Sequence, residues 1–325
     1  MSHITSFPTR LTTLKRPLNG WGLFVSLAKG EWQPGQSWAH ARYRRKFLLR
    51  SMVMPFSTAR LLNTLVTQPE LDNLLSAQPG LPCRLHRPYL SAHLTRKEAL
   101  NAICFHYKKM SETVPDVMLN AHFSPQGYCL AHLSGKNDES YFIYASAVDM
   151  QGKEGEFTLN LRNQQQVVLA KITFTLCQRD GKNTLFIGGI QGAKASVPHE
   201  AIQLATKGCH GLFPKRLLLE TLSTLAKKFS VQQIVAVGNH SHVYRSWRYA
   251  KKKKHTVHAD YDNFWLSMGG SLGPDNLFQL PLSIERKSLE EVASKKRAEY
   301  RRRYALLDAV MHSVEHHFST AGKSR

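Results

Sequence analysis

The sequence predicts a mixed α/β fold (α+β) with three parts: a helical N-terminal region, a mixed sheet flanked by helices, and a long C-terminal helix. Two observations on periodicity lead to this. Before Pro115 and again in the tail, apolar residues recur at steps of three and four, the period of amphipathic helices. Between these regions, short alternating runs of β-branched and aromatic residues predict strands. The domain boundaries predicted from these changes are 1–115, 116–285 and 286–325.

Size and composition predict a folded chain in a reducing compartment. The 325 residues are 42% hydrophobic and 21% charged, enough for a full-sized core. Five scattered cysteines without CxxC spacing predict neither a disulfide framework nor a zinc knuckle. No apolar leader precedes Arg16, and no window of about 18 apolar residues occurs. We therefore expect a cytoplasmic protein without a transmembrane segment.

The net charge of +21, from 44 basic and 23 acidic residues, predicts an anionic partner. An anionic membrane surface or lipid, nucleic acid and a phosphorylated cofactor all fit this charge. Solubility alone is the alternative explanation. Residues 1–60 contain ten basic residues and one acid, Glu31, among eight aromatic residues. This mixture is typical of a membrane-surface segment or of a base-stacking surface, unless the rings pack inside the domain itself.

The middle of the chain predicts an antiparallel meander followed by one parallel strand. Strands are predicted at 127–133, 141–147, 157–161, 167–176 and 184–190. Pro214 then begins a helix whose apolar face is Leu217, Leu218, Leu222 and Leu225. A strand at 233–237 follows, and strand, helix, strand favours parallel pairing through a right-handed crossover. Further strands are predicted at 264–268 and 278–282, and helices at 58–75, 96–110 and from 288 onward. The tail helix either docks on its own domain or serves a partner or membrane.

Glycines are concentrated where the strand at 184–190 leads to the helix at Pro214. A helix start presents free N–H groups to anions, and glycine allows close approach of a phosphate. The segment matches neither the Walker pattern nor GxGxxG, so glycines that only form turns are the alternative. On this basis the predicted cofactor-binding residues are Gly189, Gly192, Gly208, Gly211, Lys215 and Arg216.

Polar residues follow the strand at 233–237, the position where α/β sites commonly form. Asn239, His242 and Tyr244 are the candidate catalytic residues, with Tyr or His as general acid or base. A metal site using His240, His242, His255, His258 and Asp260 is the minor alternative, and no metal is expected. The run 251–254 of four lysines would bind phosphate or form a solvated loop.

Three segments, LFIGGIQGA, FPKRLLLETLSTLAKKF and YDNFWLSMGG, resemble the VirK/YbjX family of enteric and related bacteria. The resemblance extends over most of the chain. It implies a link with virulence, envelope stress and resistance to cationic antimicrobial peptides. It implies no particular chemistry.

From Phe157 onward the order of predicted elements is similar to that of the N-acetyltransferase superfamily, in which antiparallel strands lead to a CoA pyrophosphate loop, a helix and a diverging strand. This similarity implies acyl-CoA or acyl carrier protein as donor, with pyrophosphate held between Gly208 and the start of the Pro214 helix. It also implies Tyr244 as the acid for the leaving thiolate. The loop KGCHGLFPK departs from the superfamily because it is longer and contains Pro214, which puts the pyrophosphate site in doubt.

Two functions therefore stay open on the sequence, and the sequence does not decide whether the protein is an enzyme. The first is an acyl-CoA-dependent or acyl-carrier-dependent acyltransferase with an envelope-related or polyamine-like acceptor. The second is a non-enzymatic basic protein, peripheral at the inner membrane or bound to nucleic acid.

Overall fold

A computed structural model describes residues 16–148, 152–246, 248–249, 260–273 and 275–319. The chain divides into two compact units, residues 1–67 and 68–325. This division falls inside the region 1–115 that the sequence groups as one helical part.

The described residues of the smaller unit, 16–67, form four helices, α1 (Gly20–Lys29), α2 (Gln36–Ala39), α3 (Ala41–Val53) and α4 (Pro55–Val66). The Asn19 side chain caps α1 by accepting from the Gly22 N–H, and Gly30 ends it with a φ of 82°. Pro55 occupies the first turn of α4, where a missing N–H costs nothing. The buried side chains of this unit include Leu23, Leu27, Trp38, Phe47, Leu62 and Leu65.

The larger unit begins with helices that precede the sheet. They are α5 (Leu71–Ala77), a short 3-10 helix (Leu81–His86), α6 (Arg96–Thr113) and α7 (Asp116–His122). Thr95 and Glu98 form a reciprocal capping box that fixes the start of α6. The predicted helix at 96–110 is thus confirmed. The predicted helix at 58–75 is interrupted, because α4 ends at Val66 and α5 begins at Leu71.

Eight strands form one mixed sheet in the order β1-β2-β3-β4-β5-β6-β8-β7. Only the β5–β6 neighbours among these named strands are parallel, and the others are antiparallel. The strands are β1 (Tyr128–Ser134), β2 (Ser140–Ser146), β3 (Phe157–Asn163), β4 (Val168–Arg179), β5 (Lys182–Gly192), β6 (Gln233–Val237), β7 (Ser271–Leu272) and β8 (Leu277–Leu280). The predicted meander and the parallel pairing are confirmed.

Helices α8 (His199–Gly208) and α9 (Pro214–Lys228) connect β5 to β6. The four leucines predicted for the apolar face of α9 are fully buried, and this helix packs on β3, β4 and β5. The order antiparallel strands, helix, parallel strand is the one expected for an N-acetyltransferase-like mixed sheet. Mixed α/β architecture with a long C-terminal helix is therefore confirmed.

The prediction of a strand at 264–268 is wrong. This segment belongs to helix α10 (Tyr261–Ser267), which Asp260 caps by accepting from the Asn263 N–H. Phe264 and Trp265 are aromatic residues that favour a strand, but Asp260 at an N-cap position favours a helix start. The predicted strand at 278–282 is confirmed as β8, two residues shorter at its end.

The C-terminal helix α11 (Ser294–Ser319) begins later than position 288 and docks on its own unit. Its buried residues Leu307, Val310 and Val314 follow the predicted apolar spacing. The Ser313 hydroxyl donates to the Leu130 carbonyl of β1 at 2.8 Å. Among the described residues, no helix combines the length and the apolar character needed to cross a bilayer.

Candidate active site

The parallel strand pair of β5 and β6 opens toward its carboxyl end. β5 and β6 pair over only four residues, ending at Ile187 and Ala236. β5 continues beyond this point to Gly192, and β6 ends at Val237. Gly188 is a bulge, because the pairing with β4 passes from Ile187 directly to Gly189. The two strands therefore separate where sites in α/β sheets commonly form.

A buried carboxylate, Glu154, lies against this bulge with 1% of its surface exposed. A Cβ atom added to Gly188 would overlap the Glu154 carbonyl oxygen, and one added to Gly189 would overlap its carboxylate. The Gln191 amide donates to both carboxylate oxygens, at 3.2 and 3.0 Å. Gly189, predicted to approach a cofactor, instead makes room for this side chain.

His242, which is also buried, faces Glu154. Its Nε2 atom lies 3.4 Å from the Glu154 Oε1 atom. Its Nδ1 atom accepts the backbone N–H of Tyr244 at 3.3 Å. Since Nδ1 is an acceptor, the ring proton of the neutral imidazole belongs on Nε2, toward the carboxylate. The predicted catalytic histidine thus forms a carboxylate–imidazole pair that the sequence did not predict.

Asn239 links the end of β6 to the start of α10. Its side-chain oxygen accepts the Tyr261 N–H at 2.9 Å, and its amide donates to Asp260 at 3.2 Å. Its backbone N–H donates to the Asp262 carboxylate at 2.7 Å. These bonds tie the end of β6 to the start of α10, and the catalytic role of Asn239 stays a prediction.

Tyr261 is held beside the pair by α10. Its ring lies 5.2 Å from that of His242. Burial, and then the nearby Glu154 charge, raise the pKa of Tyr261. The phenol therefore stays protonated at neutral pH.

Tyr244 is half-buried, whereas Glu154 and His242 are buried. Its ring centroid is 5.0 Å from that of His242, and the Lys153 ammonium lies 5.5 Å from the Tyr244 centroid. The same ammonium is 4.3 Å from the centroid of the Tyr249 ring. The hydroxyl-bearing ring of Tyr244 and the ammonium of Lys153 therefore lie on the side of the Glu154–His242 pair that reaches solvent.

Two of the predicted cofactor-binding residues meet at the end of β5. A Cβ atom added to Gly192 would meet only the Lys215 Cε atom, at 3.7 Å, so this strand end is open. The Lys215 ammonium lies 5.7 Å from the centroid of the Phe264 ring, and burial lowers the pKa of its amine. Gly192 and Lys215 therefore provide an open backbone and a half-buried cation at the strand end.

The remaining predicted residues lie elsewhere. Gly208 packs against the Tyr141 hydroxyl, and Gly211, with a φ of 79°, lies beside the Arg303 guanidinium of α11. Arg216 lines a different cavity of about 440 Å³, together with Lys287, Tyr300, Arg303 and Tyr304. The predicted phosphate-binding group is thus divided between the end of β5 and a basic, tyrosine-lined cavity at α11.

Sequence reasoning missed Glu154, Gln191 and Tyr261. The available signal was the pair of acids flanking Gly155, directly before a strand in a strongly basic chain. Tyr261 lies in the segment YDNFWLSMGG, whose resemblance to the VirK/YbjX family implies no chemical role for it.

The residues of the alternative metal site are not brought together as far as the structure describes them. His242 faces Glu154 and His240 is exposed. His255, His258 and the lysine run 251–254 lie outside the described residues. Among the residues that are described, no group of three or more His, Cys, Asp or Glu side chains is arranged to hold a metal ion.

A family model described as "Protein of unknown function (DUF535)" matches residues 36–316. The chain belongs to the DUF535 family. This is the family of VirK and YbjX, so the resemblance found in the sequence is confirmed. The DUF535 match begins in α2 and ends in α11, and it therefore includes parts of both compact units.

Several DUF535 relatives are similar over much of this chain. YbjX of Escherichia coli K12 is 46% identical over 310 residues, covering 95% of this chain and 93% of YbjX. A Haemophilus influenzae Rd protein is 24% identical over 284 residues, 87% of this chain and 91% of its own length. A Mannheimia haemolytica protein named "Membrane protein LapB" is 26% identical over 206 residues, 63% of this chain and 86% of LapB.

Proposed function

We propose that this DUF535 protein is an acyltransferase that moves an acyl group from a thioester of CoA or acyl carrier protein to an amine. The acceptor class is polyamine-like or envelope-related. The observation that carries the proposal is the Glu154–His242 pair with Tyr244 and Tyr261, at the point where the two parallel strands separate.

Transfer from a thioester to an amine needs a proton acceptor and a proton donor. The donor molecule supplies an activated carbonyl carbon when it is bound. Glu154 would receive the proton that the acceptor nitrogen loses as the new C–N bond forms. Tyr244 would give its hydroxyl proton to the sulfur as the C–S bond breaks. Gln191 and His242 hold the Glu154 carboxylate in place for this role.

The end of β5 and the start of α9 fit the phosphate of such a donor. The first-turn N–H groups of a helix lack intrahelical acceptors and favour anions, and Lys215 adds a half-buried positive charge there. Gly192 leaves the adjacent strand end open. These three features support a donor phosphate next to Lys215, in place of the Gly208–Gly211 position expected from the superfamily.

The family context agrees with an envelope-related role for the proposed reaction. One relative carries the name "Membrane protein LapB". We include virulence, envelope stress and resistance to cationic antimicrobial peptides in the proposal as the processes that the reaction would serve.

Thermal unfolding tests donor binding. A ligand that binds only the native state raises its unfolding midpoint. We expect acetyl-CoA, a longer acyl-CoA or acyl carrier protein to raise the midpoint more than free phosphate at matched ionic strength. Lys215→Ala should remove the shift, and Lys207→Ala, which removes an exposed lysine from α8, should keep it. Equal shifts in both variants, or none with any donor, would contradict the donor site.

Thiol release tests the chemistry separately. With the donor that binds and a polyamine acceptor, Tyr244→Phe should slow thiol release by about 10²-fold or more, the usual contribution of a general acid. The midpoint shift with donor should stay unchanged, because the ring is kept. Full activity in this variant would remove Tyr244 from the mechanism.

A further inference from the structure

The smaller unit presents an outward face on α3 and the start of α4 that we call the docking face. Its apolar half consists of Leu49, Met52, Val53 and Phe56. These side chains are 60%, 58%, 77% and 88% exposed, respectively. Leu49, Met52 and Val53 follow each other at steps of three and one, so they lie along one side of α3, and Phe56 is exposed in the first turn of α4, just after the break at Met54. Soluble monomers seldom leave such a continuous apolar row in water.

The opposite side of the same segment packs into the core of the smaller unit. Phe47, Ser51 and Met54 are buried, also at steps of four and three. Phe47 contacts the rings of Phe24 and Trp38, with centroids 5.3 and 5.1 Å apart. The docking face is therefore not needed for the packing of these helices.

Basic side chains continue the row toward the start of α3. Arg42, Arg45 and Lys46 are exposed one and two turns before Leu49, and Arg60 is exposed one turn after Phe56. Arg44 is excluded from this set, because its guanidinium donates to the Trp38 and Ala39 carbonyls. Between positions 16 and 67 the sequence has one acid, Glu31, which lies 3.8 Å from Lys29.

We propose that the docking face binds the surface of an anionic phospholipid bilayer. Its basic half would contact lipid phosphates, while its apolar half would lie among the upper acyl chains, as in interfacial amphipathic helices. A nucleic acid would use the basic half but leaves Leu49, Met52 and Val53 without a favourable contact. This inference is independent of the proposed acyl transfer, which uses residues of the larger unit.

Flotation of the full chain with vesicles tests the docking face. Binding to phosphatidylcholine vesicles with added phosphatidylglycerol should exceed binding to phosphatidylcholine alone by roughly tenfold or more, and should fall as salt rises. Val53→Asp with Phe56→Asp should reduce binding by about tenfold at every salt concentration. Arg45→Glu with Lys46→Glu should reduce it mainly at low salt.

Matched controls come from the larger unit, at positions that are exposed except for the half-buried Lys228. Val117→Asp changes a valine that is 73% exposed, and Lys227→Glu with Lys228→Glu reverses two adjacent lysines at the end of α9. Both should bind vesicles like the unchanged chain. If the double aspartate variant fails to fold by circular dichroism, Phe56→Ser replaces it. Absence of binding to the anionic vesicles overturns the proposal. The proposal is also overturned if the apolar substitutions leave vesicle binding unchanged. It is overturned as well if the chain shows salt-sensitive binding to RNA but not to vesicles.

Discussion

Two acids flank Gly155, and each is buried in a different polar cluster. Glu154 faces His242, while Glu156 accepts from Tyr107 at 2.7 Å and lies 3.0 Å from the Arg84 guanidinium. A single glycine therefore separates the residue proposed for chemistry from one that holds the fold. Both acids are glutamates, so the difference between their roles comes from the residues that each one contacts.

The Arg84–Glu156 pair predicts a strong dependence of stability on Arg84. Removing one partner of a buried ion pair leaves an uncompensated charge and costs about 3–5 kcal/mol. Arg84→Met should lower the free energy of unfolding of the larger unit by this amount in urea titration. Lys108→Met breaks the exposed Lys108–Glu112 pair and should cost less than about 0.5 kcal/mol.

The combined variant Arg84→Met with Glu156→Gln sharpens this test. It removes both charges, so it should recover part of the stability that Arg84→Met loses. Equal losses for Arg84→Met and Lys108→Met would show that the buried pair contributes no more than an exposed one.

Strand β5 carries two glycines with different tasks at its carboxyl end. Gly189 faces the Glu154 carboxylate so closely that any Cβ would overlap it, whereas Gly192 leaves ordinary van der Waals distance to Lys215. Close packing at the first position and open space at the second come from the same short sequence, GGIQG. Strand β5 thus packs closely against the buried Glu154 carboxylate and leaves its own end at Gly192 accessible.

Alanine substitution distinguishes these two tasks. Gly189→Ala overpacks a buried site, which costs about 1–3 kcal/mol, so the thermal midpoint of the larger unit should fall by roughly 2–10 °C. Gly192→Ala should leave the midpoint within about 2 °C, because its Cβ fits. Calorimetry of both variants measures the difference, and equal midpoints would show that Glu154 moves aside without cost.

At the scale of the whole molecule, the division into two compact units concerns unfolding as well as function. The smaller unit has its own buried residues, among them Leu62, and the larger one includes the buried face of α9. The proposed chemistry belongs to the larger unit and the docking face to the smaller one. The proposed membrane binding and the proposed acyl transfer should then be separable by substitution.

Separate compact units predict departure from two-state unfolding. Calorimetry should resolve two transitions, and Leu62→Ala, which empties space in the smaller unit, should lower only one of them. Leu225→Ala, at a fully buried position of α9, should lower only the other. A single transition that both substitutions lower equally would mean that the two units unfold together.

The sequence by itself determined the secondary structure of most of the sheet and the helix that follows it. The alternation in β1 to β5 and the leucine spacing of α9 are local patterns. Such patterns predict secondary structure, because apolar residues repeat with the period of the helix or of the strand. The aromatic segment at 264–268 shows the limit of this rule. Its composition suggested a strand, but the Asp260 cap and the bonds from Asn239 to α10 favour a helix.

Only the tertiary structure decided which polar residues meet. Glu154 lies before β3 and His242 lies after β6, and their contact requires the crossover through α8 and α9 together with the bulge at Gly188. Residues 208, 211, 215 and 216 are neighbours in sequence, yet Lys215 reaches the end of β5 while Arg216 faces α11. Successive side chains of a helix point in different directions, so the packing of α9 separated what the sequence had grouped.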